Sequence, residues 1–338
     1  IGHAAVLERL MQVDAVWEQL PQTVYSGGHS IVKEAFARGR IDALKVLVTH
    51  PELARQAATE VIVEIAVKRD VRTEVTLAQH AAHNGDMAML AMLTAVAEVR
   101  AHEAAIASPL NLAGVALHST YKEVFDHVLG FPELQPLAGL RTVSGCTPLM
   151  LAVWANDAGL FARLVALAAV RATVLSGPGA RSPINMRWPQ TLPPESFQYR
   201  DVLELAIQRG KREMAAVLLQ VQEVLDAVDT RGDYAQKVLL LLIRHGMPEA
   251  LKGLLQRPII GKIILFADKG GMTPLHHAAQ AGQDEAVKLL MQKLPATEIT
   301  RPNRDGKTAI DLAREAGQNA IADFLASVAR VRRTMGIQ

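Results

Sequence analysis

The sequence predicts an all-α fold, a solenoid of stacked helix–turn–helix units interrupted by one irregular proline-rich insertion. A repeated grammar is the first reason. An apolar residue stands seven places before a Gly, small or apolar residues four and three places before it, and apolar residues about five and eight places after it. The 3.6-residue period puts each set on one face of a short helix, and the Gly breaks the chain between the two helices. The spacing is the second reason, because anchors from Gly39 to Gly317 step by 46, 35, 36, 54, 36, 36 and 35 residues. Composition is the third: 50% hydrophobic residues with only 4% aromatic suits helices packed through Ala, Leu and Val.

In chain order, Gly2-His3 with Val6, Leu7 and Leu10 has the form of a second helix, 37 residues before Gly39. With Ile1 where a Met would start a reading frame, this suggests a chain cut from a longer protein inside a repeat. The next unit is anchored at Gly39, with Val32, Ala35 and Phe36 before it and Leu44 and Leu47 after it. About ten extra residues then mark an insertion near 57–75. Its run Val61 to Val67 is rich in β-branched residues and permits a strand, yet Val63, Ala66, Val67 and Asp70 also fit a helical face, and an extra helix is the expectation. Weaker units are anchored at Gly85, Thr120 and Asn156, the last opened by Thr147-Pro148-Leu149.

A second insertion, 171–200, holds five of the 16 prolines together with Trp188, Phe197 and Tyr199. Proline removes backbone donors and fixes φ, so an extended excursion is expected. Its aromatics would staple it to neighbouring helices or contact a partner. The grammar resumes at Gly210 (Leu203, Ala206, Ile207, then Ala215, Leu218) and Gly246 (Leu239, Leu242, Ile243, then Leu251, Leu254). The clearest copy is Thr273-Pro274-Leu275-His276-His277-Ala278-Ala279 before Gly282, followed by Val287 and Leu290. Gly317 closes the series, with polar Asn319, Asp323 and Ser327 on a second helix that suits the outer face of a capping repeat.

This phrase and its period resemble the ankyrin repeat, whose hallmark is Thr-Pro-Leu-His-x-Ala-Ala. The resemblance covers nearly all of 1–338, as a single repeat domain, and is strongest at 273–290. It implies a cupped array whose palm is made by first helices and whose fingers are the loops between repeats. It also implies that His276 ties adjacent loops by hydrogen bonds, and that protein partners bind on the palm.

Composition excludes several function classes. A net charge of +2 with no concentrated basic stripe argues against nucleic acid. No apolar stretch reaches the 18 to 20 residues of a membrane span. Cys146 is the only cysteine, so no disulfide can form within the chain and a reducing compartment, cytosol or nucleus, is expected. No nucleophile elbow, phosphate loop, dinucleotide fingerprint or zinc spacing occurs, so neither catalytic residues, nor a cofactor, nor a metal site are expected. An enzyme remains the rival reading only through a catalytic domain ahead of Ile1, as in a host-directed bacterial effector that would work in host cytosol. A plain structural spacer is the third.

Counting back from each anchor places Arg38, His83, His118, Trp154, Arg209, Arg244 and Gln280 on the palm. Trp and Arg are the residue types that dominate binding hot spots. A basic palm on a nearly neutral chain points to an acidic segment of a protein partner, bound by a monomer.

Overall fold

The computed structural model describes residues 4–24, 29–66, 71–107, 111–118, 122–140, 146–175, 201–295 and 297–334. In chain order the helices begin with α1 (Ala4–Met11), α2 (Asp14–Gln19), α3 (Ile31–Ala37), α4 (Ile41–Leu47) and α5 (Pro51–Thr59). After a β-hairpin come α6 (Leu77–Asn84), α7 (Met87–Ala95), α8 (Ala97–Ala105), α9 (Leu112–His118), α10 (Lys122–Leu129), α11 (Pro148–Ala155), α12 (Ala158–Ala166) and α13 (Ala168–Arg171). The rest are α14 (Val202–Gln208), α15 (Arg212–Leu218), α16 (Gln222–Thr230), α17 (Gly232–Arg244), α18 (Pro248–Leu254), α19 (Ile260–Ile263), α20 (Pro274–Gln280), α21 (Asp284–Met291), α22 (Thr297–Thr300), α23 (Ala309–Glu315) and α24 (Asn319–Thr334). Residues 4–151 and 162–173 form one compact unit, and residues 152–161, 174–175 and 201–334 form a second.

Helix pairs α3/α4, α6/α7 and α9/α10 build the first unit, and α14/α15, α17/α18, α20/α21 and α23/α24 build the second. The described turns between paired helices share one device. Gly39, Gly85, Asn156, Gly210, Gly246, Gly282 and Gly317 all have φ between 55° and 73°, the left-handed region. The N–H of the next residue then donates to the carbonyl five positions before it, as in Lys211 to Ala206 at 2.8 Å and Gln318 to Ala313 at 2.7 Å. That bond satisfies a helix-end carbonyl that would otherwise be orphaned. Anchors Gly2 and Thr120 lie outside the described residues.

The apolar positions of the grammar form the core. Leu275, Ala278, Ala279, Val287 and Leu290 are fully buried, as are Leu203, Ala206, Ile207, Leu239, Leu242 and Leu251 to within 1%. A further regularity fixes where most first helices start, α17 being the exception. Ser30, Thr76, Asn111, Thr147, Asp201, Thr273 and Thr308 stand nine residues before their anchors, and each side chain accepts a hydrogen bond from the backbone N–H three residues on. Such caps each stabilise a helix by about 1 kcal/mol. Asn111 caps α9 in this way, nine positions before Thr120, which lies outside the described residues.

One expectation is corrected. The 57–75 insertion holds no extra helix across 61–66: β1 (Val61–Ala66) pairs antiparallel with β2 (Val71–Thr76), from Val61 opposite Thr76 to Ala66 opposite Val71. The β-branched run wins because a second extended run is within reach to complete its ladder. Short helices α5, α8, α13, α16, α19 and α22 follow most second helices. Clear fingers lie at 266–273 and 301–308, joined by Arg304 N–H donating to the Gly270 carbonyl at 3.0 Å.

Candidate partner-binding surface

The palm positions lie where first helices end, so their side chains leave the buried stripe and meet solvent. In the second unit Trp154 is half-buried in the last turn of α11, and Arg209, just beyond α14, is exposed. The Arg209 guanidinium carbon sits 3.5 Å from the centre of the Trp154 ring. A cation against an aromatic face contributes about 0.5 to 2 kcal/mol, more as water is excluded. Trp154 is thus propped by the following repeat while still partly open. Arg244 and Gln280 are exposed at the ends of α17 and α20. Neither Arg209 nor Arg244 forms an ion pair among the described residues.

Behind Arg244 lies a finger brace that sequence reasoning missed. His277 Nε2 is 2.9 Å from Asp268 Oδ2, while Asp268 Oδ1 accepts N–H bonds from Gly270 (2.8 Å) and Met272 (3.0 Å). Burial works to raise the Asp268 pKa, but bonds from Met272, His277 and Gly270 outweigh it and hold the carboxyl below its usual range. Burial, with help from the Arg244 charge, depresses His277 despite the carboxylate beside it. The double His of the hallmark phrase therefore has two jobs. His276 Nδ1 completes the cap with Thr273 at 2.7 Å, while its Nε2 is buried without a hydrogen-bond partner near the backbone of Lys307 and Arg301.

The remaining palm residues separate. Arg38 lies over its own helix, Nε 2.6 Å from Glu34, and His83 is exposed at the end of α6. His118 closes α9, with its side chain outside the described residues. Trp188, Phe197 and Tyr199 also lie outside them.

Residues 239–334 match the family model for ankyrin repeats (3 copies). No curated protein matched the chain. Residues 239–334 are thus similar to ankyrin repeats, and the all-α helix–turn–helix class is the one observed. Ankyrin repeats are in general non-catalytic modules for protein–protein interaction.

Proposed function

We propose that the palm of the second unit binds an acidic segment of a protein partner. Trp154 supplies an aromatic ring propped by Arg209, and Arg209 and Arg244 supply cations that form no ion pair among the described residues. The observation that carries this is the stacked, half-open Trp154–Arg209 pair, since aromatic and Arg side chains held rigid before binding lose little entropy on contact. In this reading the 171–200 insertion adds a second contact through Trp188, Phe197 and Tyr199. The working state is a monomer in a reducing compartment, consistent with a chain whose single cysteine, Cys146, is buried.

Calorimetric titration of the intact chain with a Glu/Asp-rich peptide and its Gln/Asn counterpart tests this. The acidic peptide binds, more weakly as salt rises, and Trp154→Ala or Arg244→Ala each costs about 1 to 3 kcal/mol. Equal binding of both peptides, or an unaffected double variant, places the site elsewhere. Replacing residues 176–198 by a Gly/Ser linker should preserve the helical spectrum and cooperative melting while weakening partner binding.

A further inference from the structure

A second recognition site of opposite polarity lies in the first unit. A surface cleft of about 560 Å3 opens between α2 with the turn that follows it and the start of α5, lined by Trp17, Glu18, Pro21, His50, Glu52 and Gln56 among others. Its chemistry is one-sided. The Trp17 and His50 rings pack with centroids 4.4 Å apart and planes tilted by 39°. His50 Nδ1 accepts the Glu52 N–H at 3.1 Å, which fixes the ring.

Gln56 donates its amide N–H to the Pro21 carbonyl at 2.7 Å, and its own Oε1 is buried with no hydrogen-bond partner. A buried acceptor left unpaired costs about 1 to 3 kcal/mol and marks a place where a donor is wanted. Glu18 is exposed and makes no ion pair among the described residues. Glu52 pairs only with Arg55, at 2.7 Å and with both side chains largely in water, an exchangeable contact. No residue lining the cleft carries a fixed positive charge. Aromatic faces, two carboxylates and an orphaned amide oxygen together call for a cation that brings N–H donors.

We propose that this cleft binds the guanidinium or primary ammonium head of a basic side chain on a partner protein. A peptide suits it better than a free small cation because exposed apolar Val13 (50%) stands one helical turn before Trp17, whose N–H donates to its carbonyl at 2.9 Å, and can contact the chain bearing the cation. The site is independent of the palm and stands or falls apart from it.

The test is the Trp17 indole N–H signal in the 1H–15N spectrum of the intact chain, assigned with Trp17→Phe, during titration with capped Gly/Ser peptides. Each peptide carries one central Arg, Lys, trimethyl-lysine or citrulline. Arg and Lys peptides should give saturable shifts, with citrulline at least ten-fold weaker because it keeps the shape and loses the charge. Glu18→Gln with Glu52→Gln should weaken the Arg peptide at least ten-fold without changing the thermal melt, whereas Arg209→Ala should leave it unchanged. Free arginine binding as well as the Arg peptide would overturn the choice of a protein side chain. The cation itself is overturned by a silent Trp17 signal at millimolar Arg peptide, by equal binding of citrulline, or by an unaffected double variant. Tighter binding of trimethyl-lysine than lysine overturns the requirement for N–H donors.

Discussion

Glu103 is fully buried in α8, its Oε1 hydrogen-bonded to Thr76 Oγ1 and its Oε2 3.1 Å from Gln79 Nε2, the two residues that cap α6. Burial pushes its pKa up to about 7, against the downward pull of both hydrogen bonds. Because the folded state holds this proton more tightly than the unfolded state, the contribution is full below about pH 4.5 and is lost as pH rises through about 7. Glu103→Gln should therefore stabilise the protein at pH 8 by up to about 3 kcal/mol and change little at pH 4. Thermal melts at the two pH values decide it, and parallel melting curves would refute the burial argument. His276 and His277 act with the opposite sign. Burial lowers both, so their contribution is present above the unfolded value of 6.5 and is lost on acidification. None of this was legible in the sequence, where Glu103 in an Ala-rich helix resembles any solvated charge. Trp154 and Arg209 were legible as palm positions by counting from their anchors. Their stacking was not, since it depends on how one repeat turns onto the next.

At the scale of the element, the left-handed turn was fully legible where Gly marks it, and Asn156 shows that the register survives without Gly. A non-Gly residue at φ 55° carries strain that Asn only partly relieves. Asn156→Gly should stabilise by up to about 1 kcal/mol, and Gly210→Ala should cost about 1 kcal/mol, purely from backbone strain since nothing lies within 4 Å of the added Cβ. Gly282→Ala should cost about the same, because the Gln318 amide 2.8 Å from the new Cβ is the far end of a flexible side chain and can move aside. Denaturant titrations that rank the three variants otherwise would contradict this account. The caps nine residues before most anchors were present in the sequence but hidden, because Ser, Thr, Asn and Asp share a role and not a letter. The hairpin at 61–76 was misread for a different reason. A β-branched run does not reveal whether a partner strand exists, and helical periodicity fits short apolar runs as easily.

Within each unit the same packing rule repeats: each helix pair buries a face against its neighbour, so the loss of one pair uncovers another. In the second unit, α23 packs on α20 and α24 on α23. Ile321, Ala322 and Leu325 contribute to the core from α24. Arg332 reaches back to donate to the Leu294 and Met291 carbonyls, both at 2.7 Å, at the end of α21, where a cation also complements the helix dipole. Deleting residues 304–338 would remove these contacts and the Arg304 to Gly270 bond while uncovering faces around Val287 and Leu290, now fully buried. Aggregation on size-exclusion chromatography or a large drop in melting temperature is expected. Arg332→Ala isolates one part of the effect and should cost about 1 to 3 kcal/mol, the usual range for hydrogen bonds from a charged donor. A monomeric truncation with an unchanged melt would mean that α23 and α24 do not cover the repeat before them, and would undo the register assigned from Gly210 to Gly317. Loss of stability in the truncation with none in Arg332→Ala would instead locate the stabilisation in the apolar face of α24.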